Sequence, residues 1–155
     1  MLPIRLSLPV ENSILNMINA ILFDFNGVII NDELLQFEVY KQVFKGLGIE
    51  LTHEKYLNSL GMDENTFIMS ILTSPSSMGT EAAPETLGLI NEQKGQIYLK
   101  RLEEELPLAP GVKNFVVSSS LQFDLGVVSM APKSEIDYVL NRAGLTDYFA
   151  VIVSA

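Results

Sequence analysis

The chain has 155 residues, enough for one domain with a substantial core, and 48% of them are hydrophobic against 19% charged. A formal net charge of −9 argues against a nucleic-acid backbone or an anionic membrane as partner, although a local site for a small anion is compatible with it. There is no cysteine and His53 is the single histidine, which excludes disulfides, thiolate metal sites, cysteine nucleophiles and a His-rich zinc site.

Residues 1–16, "MLPIRLSLPVENSILN", are mildly apolar but broken by Pro3 and Pro9, with Arg5 their one positive charge. A loose N-terminal extension is expected rather than a signal peptide, with the folded unit beginning near Met17. No apolar stretch approaches the ~20 residues of a membrane helix, and a cytoplasmic protein is expected.

"INAILFDF", Ile18 to Phe25, reads as a strand buried on both faces, as in the middle of a parallel sheet. From Glu33 to Gly46 the pattern becomes helical, with Leu34, Phe37, Phe44 and Leu47 recurring at threes, fours and sevens. Thr52 is placed to cap a short helix through Leu60, and Asp63 another through about Leu72. Thr73 to Pro84 is a loop by composition. Glu85 to Leu106 is the longest helical candidate, with Leu87, Ile90, Ile97, Tyr98 and Leu102 on one arc. After "PLAPG", a short helix is expected to about Leu121, then a second buried strand, "DLGVVSM", from Asp124 to Met130. Pro132 and Ser134 open a helix to Ala143, closed by Gly144, and "FAVIVSA" is a third strand.

Strand, helical block, strand, helix, strand is the order of an α/β protein with a parallel sheet and an inserted helical unit. The expected core comprises residues 17–31 and 110–155, and the helical cap residues 32–109. Ligands of open α/β sheets bind beyond the carboxyl ends of the strands. Two of those ends are chemically marked here, by Asp24 and Ser129. A carboxylate at Asp24 suits a nucleophile or a ligand for a hard cation such as Mg²⁺. Backbone N–H groups of the turn at Gly27 suit an anionic oxygen, and Ser129 with the following helix start suits a phosphate. Lys133 adds positive charge nearby. Equally, Asp24 and Ser129 each suit a turn-capping role alone.

"DFNGVI", "NDE", a helical insertion, "PGV", "LGVVSMAPKSEI", "NRAGLTDYF" and "VIVSA" together resemble the haloacid dehalogenase-like superfamily, in its β-phosphoglucomutase and phosphoglycolate phosphatase branch. The resemblance covers nearly everything from Ile18 to Ala155. It implies a partial Rossmann-like core under an α-helical cap, with phosphoryl transfer from a small phosphorylated metabolite through an aspartyl-phosphate on Asp24. It further implies Mg²⁺ held by Asp24 and the backbone carbonyl of Asn26. Phosphate and substrate contacts would come from Gly27, Ser129, Met130, Lys133 and Lys94.

Two departures stand out. The position two residues after the nucleophile, usually an acid, is Asn26, which has no proton to transfer; general acid–base catalysis is typically worth ~10²–10⁴-fold. The family's third-motif Lys and fourth-motif acidic pair have no counterpart before Ala155, so an incomplete Mg²⁺ site, an exposed sheet edge and an uncovered apolar face are expected. A non-catalytic relic, or a phosphate-binding or interaction protein, is the competing class. Of the smaller signals, Lys94 lies inside the apolar arc of the long helix, so it either snorkels to the rim or points at substrate. Glu33 either reads substrate or favours a helix N-terminus. His53 reads as a solvated helix start, and Glu103 to Glu105 as an exposed acidic run.

Overall fold

The computed structural model describes residues 18–74 and 84–154. The expected extension at 1–16 and most of the loop at 73–84 lie outside the described residues. Within them the chain runs β1 (Ala20–Phe23), α1 (Glu33–Gly46), α2 (His53–Leu57), α3 (Glu64–Leu72), α4 (Pro84–Glu104), α5 (Val112–Ser119), β2 (Asp124–Val128), α6 (Lys133–Ala143), a 3₁₀ turn at Thr146–Tyr148 and β3 (Phe149–Val153). The fold is α/β, as the alternation predicts.

The three strands are parallel, in the order β1-β2-β3. β1 aligns Phe23 with Val127, and β2 aligns Val128 with Val153. Each strand is added on the same side of its predecessor. Right-handed crossovers then place α5 and α6 on one face of the sheet. That face carries the first core: Phe23, Leu125 and Val127 pack with Val116, Ile136 and Leu140, joined by Tyr98 and Leu102 from α4. Arg142 of α6 donates to the carbonyl oxygens of Leu102 and Glu103, capping the end of α4.

The opposite face is bare among the described residues. Leu22 is 64% exposed and Val128, Val151 and Val153 are also exposed. This corrects the expectation that β1 is buried on both faces. Gly126 lies between Leu22 and Val151 on this side; a Cβ there would come within 2.8 and 2.9 Å of their side chains.

The helical unit has its own core, in which Tyr40, Phe44, Phe67, Ile68 and Ile90 are buried together. Tyr40 and Phe67 meet edge to face with ring centroids 4.9 Å apart. Thr52 and Asp63 cap their helices as predicted, accepting from the N–H groups of Lys55 and Thr66. Two predicted details fail. α2 stops at Leu57, three residues early, and the chain turns through Gly61 at φ 86°. Leu34 and Leu47 are exposed, because α1 buries the side carrying Phe37, Tyr40, Val43 and Phe44. α1 and α4 also serve both cores: Val39, Tyr98 and Leu102 belong to the sheet cluster.

Candidate active site at the strand ends

Asp24 directly follows β1, is exposed, and accepts from the N–H of Phe25 through Oδ1 at 2.6 Å. The next six residues fold into a tight turn around the Phe25 carbonyl, which accepts from the N–H groups of Val28, Ile29 and Ile30 at 3.3, 2.8 and 3.1 Å. Gly27 sits in this turn at φ 76°, a conformation that disfavours other residues. Its N–H donates to the Ile30 carbonyl at 2.7 Å. Gly27 therefore shapes the turn with that group, and the expected use of its N–H as an anion cradle does not fit this arrangement.

The register puts Asp24 and Ser129 at adjacent strand ends, each just past the paired Phe23 and Val127–Val128. Ser129 donates its N–H to the Val153 carbonyl at 3.0 Å, and its Oγ accepts from the N–H of Ala131 at 3.2 Å. That bond shapes the turn into α6 and leaves the hydroxyl hydrogen to donate elsewhere. Lys133 lies apart: exposed on α6, it pairs with Asp137 at 2.6 and 2.8 Å.

Beside these strand ends a cleft of about 160 Å³ opens between the core and the helical unit. Asn26 and Lys94 line it, as does the segment Met130, Ala131 and Pro132 that follows Ser129. Met130 is 65% exposed. The turn after α2, including Gly61 and Met62, closes one side. The structure thus gathers Asn26, Met130 and Lys94 on one cleft and sets Asp24 and Ser129 at neighbouring strand ends beside it.

The polar groups of the cleft form two linked sets. In the first, Asp32 is 1% exposed and its Oδ2 accepts three bonds: from Asn26 Nδ2 at 2.9 Å, Gln36 Nε2 at 3.0 Å and the Tyr98 hydroxyl at 2.5 Å. An ionised carboxylate only accepts, so these bonds settle which end of the Asn26 amide faces Asp32. Burial and the Asp32 carboxylate push the Tyr98 hydroxyl far above its ordinary range, so it stays a donor. In the second set, Lys94 is 4% exposed and its Nζ bonds Glu135 Oε1 at 2.7 Å and approaches Glu64 Oε1 at 3.3 Å. The Tyr40 hydroxyl donates to the same Glu64 oxygen at 2.5 Å. Burial and then Glu64 raise Tyr40. Burial also pushes the Glu135 carboxyl up, with Lys94 opposing. The Nζ lies 5.0 Å from the Tyr98 ring centroid and 5.8 Å from that of Tyr40.

Lys94 therefore does not snorkel to a rim. It is buried because two carboxylates and two aromatic faces compensate its charge, and through Glu135 of α6 it ties the helical unit to the core. Sequence reasoning missed Asp32, Glu64, Tyr98 and Glu135 as site residues. Lys94 and Tyr98, four apart on an otherwise apolar arc, were the available signal, since a buried cation requires a partner. That the partner is Glu135, 41 residues away, is legible only in the fold.

The oxygens available to a hard cation are of the right kind but few. Asp24 offers one carboxylate and Asn26 a backbone carbonyl, whereas Mg²⁺ takes about six oxygens. Among the described residues, no three His, Asp or Glu side chains converge as a metal site. These residues alone do not make a complete magnesium site.

A family model described as haloacid dehalogenase-like hydrolase matches residues 21–155. A phosphorylated carbohydrates phosphatase from Thermotoga maritima is 27% identical over 140 residues, covering 86% of this chain and 60% of that protein. Among solved structures, a CbbY mutant from Rhodobacter sphaeroides bound to xylulose-(1,5)bisphosphate superposes with a TM-score of 0.76 at 23% identity, covering 90% of this chain and 64% of that one. A β-phosphoglucomutase from Clostridium difficile gives a TM-score of 0.74 at 23% identity, covering 90% and 62%. The chain spans about three fifths of the length of these proteins.

Proposed function

We propose that this chain, which belongs to the haloacid dehalogenase-like hydrolase family, carries the nucleophile-bearing part of an enzyme that transfers a phosphoryl group from a small organic phosphate. Asp24 is the nucleophile of this reading, and Ser129 and Met130 contact the transferring group. The observation that supports it is that Asp24 and Ser129 follow the ends of adjacent parallel strands, one residue out of register, beside a cleft covered by a helical unit. The relative named as a phosphorylated carbohydrates phosphatase supports a small phosphorylated metabolite as substrate.

Each residue has a physical part. Asp24 attacks phosphorus while its carboxylate is steadied by the Phe25 N–H; the bond from phosphorus to the substrate's organic oxygen breaks, and that oxygen takes its proton from solvent. Ser129 donates its hydroxyl hydrogen to a phosphoryl oxygen, where charge develops. Asn26, held by Asp32, accepts or donates a hydrogen bond but moves no proton. Lys94 acts through the helical unit, fixing it over the cleft rather than meeting phosphate as a free cation. Lys133 has no part in this reading, since its charge is paired with Asp137 on the exposed side of α6. Magnesium dependence belongs to the same proposal. Asp24 and the Asn26 carbonyl would be two of the ion's ligands, and binding by this chain alone would be weak.

The test is release of phosphate from a panel of phosphate monoesters, with and without Mg²⁺, by the chain and by Asp24→Ala. Release that disappears in the variant supports the reading, and equal release from both sinks it. One observation favours a second reading, a phosphate-binding protein without turnover: Asn26 stands where a proton carrier is needed. Phosphate that binds with no Asp24-dependent release would establish that alternative.

A further inference from the structure

The cleft beside the strand ends presents a ligand with hydrocarbon more than with polar groups. Its polar side chains are largely engaged with one another. Lys94 is held by Glu135 and Glu64, and the Tyr40 hydroxyl donates to the same Glu64 oxygen. Asp32 is occupied by Asn26, Gln36 and Tyr98. The Ser59 hydroxyl donates to the Tyr56 carbonyl at 2.6 Å. Asp32, Ser59, Lys94 and Glu135 are all buried, and Asn26, Glu33, Gln36 and Glu64 are half-buried.

The open surface belongs to three large apolar side chains. Leu60 and Met62 are 51% and 49% exposed on the turn that follows α2, and Met130 is exposed directly after Ser129. All three line the cleft, Leu60 and Met62 from the helical unit and Met130 from the core. Exposed hydrophobic residues scattered singly are ordinary, but three around one recess mark a contact surface. Two of them are methionines, whose unbranched side chains adapt to the shape of a flexible partner.

Building on the phosphoryl-transfer reading above, we infer that this cleft seats an uncharged, apolar organic part, so that the substrate class is an alkyl or arylalkyl phosphate monoester. Leu60 and Met62 are the residues that set this specificity. The apolar lining begins one residue from Ser129, so a hydrocarbon chain leaving the phosphate enters it at once. A polyol in the same place would exchange bonds to water for contact with methyl and thioether groups, among polar groups that are already paired. An alkyl chain gives up no hydrogen bond and gains about threefold in affinity for each methylene it buries.

The experiment compares n-hexyl phosphate, n-propyl phosphate and glycerol 3-phosphate, each of which departs through a primary alcohol oxygen. Kd is measured by calorimetry with the Asp24→Asn variant, and kcat/KM by phosphate release from the chain. Both measures are expected to improve from glycerol 3-phosphate to propyl to hexyl phosphate, with hexyl phosphate ahead of glycerol 3-phosphate by about tenfold or more. Leu60→Ser combined with Met62→Ser, at two exposed positions, is expected to remove most of that preference and leave the binding of inorganic phosphate unchanged. Glycerol 3-phosphate binding as tightly as hexyl phosphate, or no binding of any ester, would overturn the inference. So would a hexyl preference that survives the double variant, which would place the chain on another apolar surface such as Leu22 and Val151. The expected order of Kd without any Asp24-dependent release would uphold the apolar seat and sink the enzymatic reading. Asp24-dependent release from all three esters alike would uphold the enzymatic reading and overturn the inference.

Discussion

The Asn26 amide donates to the Asp32 carboxylate at 2.9 Å, so the residue in the proton-carrier position is fixed by an acid six residues further on. Two carboxylates at that separation would compete for one proton. Asn26→Asp is therefore expected not to restore a working acid but to destabilise the fold by about 1–3 kcal/mol at neutral pH. The shared proton makes this penalty shrink as pH falls. Asn26→Asp combined with Asp32→Asn should recover most of the loss. Denaturant titrations of the single and double variants at about pH 7 and pH 5 measure the coupling; additive effects would show that the two residues act independently.

Lys94→Met is expected to cost about 3–5 kcal/mol, because it leaves Glu135 and Glu64 uncompensated in a buried site. The pH dependence has a definite sign. Burial holds the folded Glu135 carboxyl above its ordinary value of 4.5, so protonation favours the folded state. That stabilisation is fully present below 4.5 and is lost as pH rises through the higher folded value. The variant should thus be least stable relative to the parent at neutral pH and approach it on acidification. Thermal melts across that range decide the matter.

Gly27→Ala is expected to cost about 1–2 kcal/mol, the price of a left-handed conformation for a residue with a Cβ. Nothing lies within 4 Å of where that Cβ would sit, so the cost is one of backbone conformation alone. Gly27→Asn should cost less, since Asn enters this region more readily. Equal losses for both variants would point to a contact rather than to φ.

Leu22 and Val151 face outward together across Gly126. Replacing both with Thr should change stability by less than about 0.5 kcal/mol per site and reduce binding of an apolar dye. A large loss of stability would mean that this face is covered in solution.

The local chemistry of the elements was legible from the chain. The apolar runs at 20–23, 124–128 and 149–153, the caps Thr52 and Asp63, and the stop at Gly144 all depend on neighbours within a few residues. So does the positioning of Asp24 and Ser129 at strand ends. The early end of α2 and the outward turn of Leu34 were not, because which helical side is buried depends on what packs against it.

The sequence by itself determined an α/β chain with an insertion, a carboxylate closing its first strand, and an amide where an acid is usual. Each of these is a property of residue type and short-range spacing. Tertiary structure alone decided that Lys94 is buried between Glu135 and Glu64, that Asp32 gathers Asn26, Gln36 and Tyr98, and that Leu22 and Val151 are exposed on one sheet face among the described residues. The hydrogen bonds among these residues reach up to 66 positions along the chain. These outcomes follow from the hand of the crossovers and from the need of a buried charge for a partner, which no local pattern records.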